Sequence, residues 1–171
     1  MLIRDAAADD LAGIFEIYDR EVLHGTATFE TVPKTPAERV EWLAAHRPAA
    51  HPAIVAVEPD HGSSRVLGWA TLSAWSARCA YARAAENSVY VHLSARGRGV
   101  GRALLGELLV RARAANLAVI IARIAEGNPA SVRLHESAGF ETIGVMRRIG
   151  EKFGRVLDVR MMDLHLDGGL G

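Results

Sequence analysis

Apolar positions change their period several times along the chain, and each change marks an element. Residues 2–5 read as a short strand. Leu11, Ile14, Phe15, Tyr18 and Val22 then recur at helical spacing behind Asp9 or Asp10, either of which can cap a helix. A second helix is predicted from Thr35-Pro36-Ala37-Glu38 to about His46, because Thr35 can cap, Pro36 suits the first turn and Glu38 completes a capping box. Ala53–Glu58, Val66–Trp75 and Ser88–Leu93 are rich in β-branched and aromatic residues and are separated by polar turns, so they read as an antiparallel meander. Val100, Leu104, Leu105, Leu108, Leu109 and Ala112 return to three- and four-residue steps, which predicts an amphipathic helix ending near Asn116. Leu117–Ile124 reads as a buried strand, Asn128-Pro129 opens a short helix stopped by Gly139, and Phe140–Arg147 and Val156–Leu166 are the last strands. The order is βααβββαβαββ, an α/β (α+β) pattern.

Composition narrows the class. With 171 residues, half of them hydrophobic and 23% charged, the chain suits one globular domain, expected over 1–167 with a flexible tail at 168–171. His46–Pro52 and the stretch around Asp60–Ser64 read as flexible loops. No apolar run approaches the roughly 20 residues of a membrane span, and Met1-Leu2-Ile3-Arg4-Asp5 lacks the shape of a signal peptide, so a cytoplasmic protein away from the membrane is expected. One cysteine, Cys79, cannot form an internal disulfide, and an incidental thiol is the better reading than a nucleophile. None of the seven histidines falls in a metal-binding spacing, so no metal is implied, and His46 and His51 read as solvated.

Zero formal net charge hides an asymmetry. Residues 1–60 carry eleven acidic against five basic side chains, whereas residues 61–171 carry nine against fifteen. Five arginines, Arg96, Arg98, Arg102, Arg111 and Arg113, crowd into 96–113 against Glu107 alone. That density suits a bound phosphate group better than a nucleic-acid surface, and no nucleic-acid partner is expected.

The arginines sit in Val89-Tyr90-Val91-His92-Leu93-Ser94-Ala95-Arg96-Gly97-Arg98-Gly99-Val100-Gly101-Arg102, a strand, a glycine-rich turn and a helix in succession. Glycines allow a tight turn and close approach of backbone to ligand, and the unpaired amides of a helix start favour an anion. Arg96-Gly97-Arg98-Gly99-Val100-Gly101 resembles the acetyl-CoA signature of the GNAT acetyltransferase superfamily. Asn128-Pro129-Ala130-Ser131-Val132-Arg133-Leu134-His135-Glu136-Ser137-Ala138-Gly139-Phe140 resembles the later motif of that superfamily. Thr26–Glu30, Trp75–Tyr81, Glu86–Val91 and Arg133–Glu136 further resemble its phosphinothricin and methionine-sulfoximine (sulfone) N-acetyltransferase branch, over nearly the whole chain. Ala84-Ala85-Glu86 departs from the branch's usual T-V-E.

The resemblance implies a mixed, mostly antiparallel central sheet flanked by helices, and acetyl-CoA as co-substrate. It also implies a small amino-acid-like amine as acceptor, herbicide or antibiotic resistance as a role, and a homodimer. Glu86 corresponds to the branch's base, and a carboxylate there can take the proton of an ammonium before it attacks a thioester. Val89, Tyr90 and Val91 would offer backbone amides to the thioester oxygen, with Gly97, Gly99, Val100 and Gly101 and the neighbouring Arg96, Arg98 and Arg102 holding pyrophosphate. Asn128 and Ser131 would meet the cofactor arm, although Asn128 also serves as a helix cap. His135 has two readings of equal weight, a proton donor to the departing thiolate or a packed helix histidine. Arg78 can bind a carboxylate with two hydrogen bonds, Tyr81 and Phe29 can wall the acceptor, and Trp75, Asn87 and Ser88 complete the expected acceptor site. Lys152-Phe153-Gly154-Arg155 reads as a basic hairpin tip. Two other functions stay open: acetylation of a protein N-terminus or another amine, and a non-catalytic acyl-CoA sensor.

Overall fold

The computed structural model describes residues 1–59 and 64–166. The loop expected around Asp60–Ser64 lies, but for Ser64, outside the described residues, as does the tail at 168–171. Eleven main elements follow in the order read from the pattern: β1 (Leu2–Asp5), α1 (Leu11–His24), α2 (Pro36–Ala45), β2 (Ala53–Pro59), β3 (Ser64–Ala74), β4 (Ala84–Val91), α3 (Val100–Ala114), β5 (Val119–Ala125), α4 (Pro129–Ser137), β6 (Glu141–Lys152) and β7 (Arg155–His165). Short 3-10 turns at Ala8–Asp10, Cys79–Tyr81 and Leu93–Ala95 add to these.

Helix starts follow local chemistry with one exception. Thr35 Oγ1 accepts from the Glu38 amide while Glu38 Oε2 accepts from the Thr35 amide, the reciprocal box expected. At α1 neither aspartate caps by its side chain. Buried Asp10 instead accepts from the Ala7 amide at 2.8 Å and from both terminal nitrogens of Arg4 at 2.6 and 2.8 Å, tying the first strand to the helix start. A two-pronged ion pair away from water outcompetes a cap.

The strands form one seven-stranded sheet in the order β1-β2-β3-β4-β5-β7-β6. All pairs are antiparallel except β4 with β5. Alternate residues supply two cores. Ile54, Ala56, Ala70 and Leu72 meet Leu104, Leu105 and Leu108 of α3, while Val55, Val57, Val66 and Trp69 meet Ile14, Phe15 and Ile17 of α1. A register shift opposite Ala56 and Val57 lets Leu67 join the α3 side next to Val66 on the α1 side.

Two strands are longer than their composition suggests. β4 begins at Ala84 rather than Ser88, because β5 pairs Ala84 and Ala85 and β3 also pairs Ala85, whatever their weak strand preference. β6 continues past Arg147 to Lys152 through a register shift between Met146 and Gly150, with Arg148 at φ +54°. No helix among the described residues is long and apolar enough to cross a membrane.

Candidate active site

The parallel pair is brief. β4 and β5 match only at Ala84↔Val119, Ala85↔Ile120 and Glu86↔Ile121. Beyond Glu86, β4 stays with β3 as far as Val91↔Gly68, while β5 stays with β7 as far as Ala125↔Val159. The two strands part into a wedge.

Register decides which backbone groups face the wedge. His92 donates to the Leu67 carbonyl at 2.9 Å and Trp75 to the Ala84 carbonyl at 3.2 Å, so the even-numbered residues of β4 form the hydrogen-bonded pairs with β3. Val89 and Val91 therefore turn their amides to the open side, whereas the backbone groups flanking Glu86, the Asn87 amide among them, close the last bridge to β5. Tyr90 turns no amide to the open side: its backbone addresses Trp69 of β3, which corrects its expected part as an amide donor. Its ring stacks on Trp69 at 4.7 Å between centroids and its hydroxyl donates to the Ala27 carbonyl at 3.2 Å. Burial pushes the Tyr90 phenol far above its ordinary range, so it stays neutral.

A cavity of about 480 Å³ runs through the wedge. Strand alternation gives it two sides. On the α1 side stand Tyr18, Thr28, Phe29, Glu30, Glu86, Ser88, Tyr90 and Arg123, capped by Met146 and Ile149 of β6. On the α4 side stand Asn87, Val89, Asn128, Ser131 and His135. A smaller cavity of about 260 Å³ adjoins the first side, sharing Tyr18, Glu30, Ser88 and Tyr90 and adding Phe15, Trp42 and Trp69. Edge-to-face contacts of Phe15 and of Trp69 with both Tyr18 and Trp42 fix this aromatic wall.

Glu86 lies where the strands part, mostly buried, and accepts a 2.7 Å hydrogen bond from Arg123 Nε. Arg123, on β5, is the one permanent cation among the described residues lining the larger cavity, and the sequence reading missed it. The available signal was a charge inside the otherwise apolar run 117–124.

His135 is buried, and its protons can be assigned. The Ser131 carbonyl can only accept, so His135 Nδ1 donates to it at 2.8 Å, which leaves Nε2 to accept from Asn87 Nδ2 at 2.9 Å. Burial pulls the imidazole below its ordinary value of 6.5, against the opposing pull of the Ser131 bond. A neutral ring whose Nε2 already accepts a hydrogen bond has no proton to donate there, which favours the packed reading. It also moves Asn87 off the Glu86 side, with its Oδ1 buried and unpartnered beside the cavity.

A pH dependence follows. His135 and His46, both shifted down by burial, are neutral in the fold but take protons once unfolded. Stability is therefore full above about pH 6.5 and falls as pH drops below that value toward the lowered folded values. Urea denaturation at pH 7.5 and 5.5 should show a lower midpoint at 5.5, and His135→Gln should flatten the difference. His46 is not solvated as expected: Nδ1 contacts the Trp42 carbonyl at 2.7 Å and Nε2 the Ser73 hydroxyl at 3.1 Å. His51 is half-buried too.

The glycine loop fits an anion through its backbone. Gly97 and Gly99 take φ +75° and +80°, and a side-chain carbon at either would meet open space. Ala103 donates to the Gly99 carbonyl, and α3 has no side-chain cap, so the amides of Val100, Gly101 and Arg102 precede the helix's own ladder. The arginines are less committed to a ligand than the sequence suggested. Arg96 pairs with Glu21 at 2.8 Å and Arg98 with Glu58 at 3.2 Å, while Arg102 is exposed on the first turn. Val100 is a core side chain. Asn128 caps α4 by accepting from the Ser131 amide at 3.2 Å, and both residues line the cavity.

Trp75, Arg78 and Tyr81 do not line either cavity, and Arg78 and Tyr81 are exposed around the 3-10 turn after β3. Lys152, expected at a basic tip, is instead 3% exposed. Its ammonium donates to the carbonyls of Glu21 and Thr28 at 2.9 and 2.8 Å. Cys79 is exposed and free, and no cluster among the described residues could hold a metal ion.

Seven-stranded sheet, wedge, glycine loop and helix start together define the class, a GNAT fold. The family described as "Acetyltransferase (GNAT) family" matches residues 11–140. The chain belongs to this family and is an acetyltransferase. It is 41% identical over 165 residues to an L-methionine sulfoximine/L-methionine sulfone acetyltransferase of Pseudomonas paraeruginosa, covering 96% of this chain and 94% of the relative. It is 40% identical over 157 residues to a phosphinothricin N-acetyltransferase of Streptomyces coelicolor, covering 92% and 91%. The crystal structure of a GNAT superfamily phosphinothricin acetyltransferase from Sinorhizobium meliloti in complex with acetyl-CoA superposes with a TM-score of 0.91 at 39% identity, covering 98% and 89%.

Proposed function

We propose that the protein transfers acetyl from acetyl-CoA to the primary amine of a small amino-acid-like acceptor, of the phosphinothricin, methionine sulfoximine or methionine sulfone type. The observation that carries this reading is Glu86 on one side of the wedge, beside the free amides of Val89 and Val91. The cofactor fits the other side: the loop amides of 97–102 suit its pyrophosphate, and the buried, unpartnered Oδ1 of Asn87 lies beside the cavity. When bound, it supplies an electrophilic thioester carbonyl. Val89 and Val91 direct amide hydrogens to where negative charge develops on that carbonyl's oxygen. Glu86 takes the proton from the acceptor's ammonium, directly or through water, and frees its lone pair. Phe29 and the aromatic wall exclude water from the acceptor side.

Loop geometry is testable separately. Gly99→Val forces a β-branched residue into a left-handed conformation costing about 1–2 kcal/mol. Acetyl-CoA should bind about 5- to 30-fold more weakly by calorimetry, with kcat at saturation much less affected.

A second copy is the proposed partner. Ile143, Val145, Ile149, Phe153 and Val156 are exposed along the final hairpin, whose β6 forms one edge of the sheet. Sedimentation should give a dimer mass.

The decisive assay follows thiol release from acetyl-CoA with phosphinothricin, methionine sulfoximine, methionine sulfone, common amino acids, N-terminal peptides and aminoglycosides. Turnover is expected with the first three. Turnover confined to peptides would redirect the reading to protein N-termini, and silence with acetyl-CoA bound would favour a sensor.

A further inference from the structure

Arg123 is an unusual residue for its place. It is the only exposed position in β5, whose other side chains are buried or nearly so. Its one hydrogen bond among the described residues goes to Glu86. The fork of a guanidinium can make more bonds than this, so donors remain unused toward the cavity it lines. Arg78, the arginine the sequence suggested for a carboxylate, is outside that lining.

The Glu86 and Arg123 pair has the charge pattern of its acceptor in reverse. An α-amino acid carries ammonium and carboxylate on one carbon, so their complements must stand side by side, as carboxylate and guanidinium do here at 2.7 Å. We infer that Arg123 binds the α-carboxylate of the acceptor, and that the pair opens to admit the zwitterion. Arg123 passes its donors from Glu86 to the incoming carboxylate, and Glu86 turns its freed oxygen to the ammonium. Net charge in the site is unchanged, and one charge-assisted contact is exchanged for two. Both groups stay on the α1 side of the sheet, away from Asn87 and His135. An amine lacking the neighbouring carboxylate cannot make this exchange, and it meets a base still held by Arg123.

This assignment rests on the acceptor reading above and narrows it to α-amino acids with a free carboxylate. The test compares L-methionine sulfone with its carboxamide, using wild type, Arg123→Met and Arg123→Lys. Binding of L-methionine sulfone to the CoA-saturated protein is measured in parallel by calorimetry. Arg123 is half exposed, so the variants should fold. Wild type should prefer the free acid in kcat/KM. In Arg123→Met, KM and Kd for the acid should rise on the order of tenfold or more, the carboxamide should gain because Glu86 is no longer held, and the preference should collapse. Arg123→Lys should recover part of it, since a lysine supplies the charge without the fork. An Arg123→Met enzyme that keeps the wild-type ratio of acid to amide would overturn the assignment. So would an equal fall in kcat for both acceptors, which would make Arg123 a positioning residue for Glu86. Failure of wild type to bind or acetylate either compound overturns the α-amino acid reading itself, a result separable from a wild type that works while the variant keeps its preference.

Discussion

Glu86→Gln should lower kcat with a saturating amino-acid acceptor by about 10²–10⁴-fold, the usual worth of a positioned general base. Shape and hydrogen bonding survive the change, because the amide oxygen can still accept from Arg123 Nε. Only the capacity to take a proton is lost. Acetyl-CoA affinity should therefore hold, since the glycine loop and the amides of Val89 and Val91 are untouched. The measurement pairs steady-state turnover with calorimetric binding of acetyl-CoA. A variant turning over at the wild-type rate would remove Glu86 from the chemistry and leave the wedge amides as the principal contribution.

Leu104→Ala should cost about 2–5 kcal/mol of stability, read from urea denaturation. Leu104 is fully buried at the heart of the larger core, between α3 and the strands β2 and β3. Well-packed helix and sheet cannot collapse into the space of an isobutyl group. Because α3 also presents the amides at its start, saturating acetyl-CoA should raise the stability of both proteins through binding to the folded state. A loss below about 1 kcal/mol would mean that α3 slides to fill the space. In that event the acetyl-CoA affinity should weaken as well.

Local signals carried much of the fold. The capping box at Thr35, the apolar stripe of α3 and the proline and glycine punctuation of α4 all act within a few residues, so their spacing is enough to read them. The wedge is different. It depends on β4 and β5, far apart in the chain, pairing over three residues and then separating, and no local pattern encodes where a pairing stops. Site residues divide on the same line. Glu86 came into view through a family resemblance carried by its sequence neighbours, and the glycine loop through its own closely spaced residues. Arg123 hid in an apolar run, since its partner is 37 positions away. His135 was ambiguous in sequence because its proton position follows from Ser131 and Asn87 together, and Asn87 lies on a different element.

The Lys152 anchor joins what the chain order keeps apart. Its ammonium grips the carbonyls of Glu21 and Thr28, while a side-chain carbon at nearby Gly150 would overlap the Phe29 ring. The cavity wall at 28–30 and the β6–β7 hairpin are thus tied together by side-chain contacts. The outer face of that hairpin carries the exposed Ile143, Val145 and Phe153. A contact on the outside of the hairpin is thereby linked, through Lys152 and Gly150, to the segment that lines the cavity within.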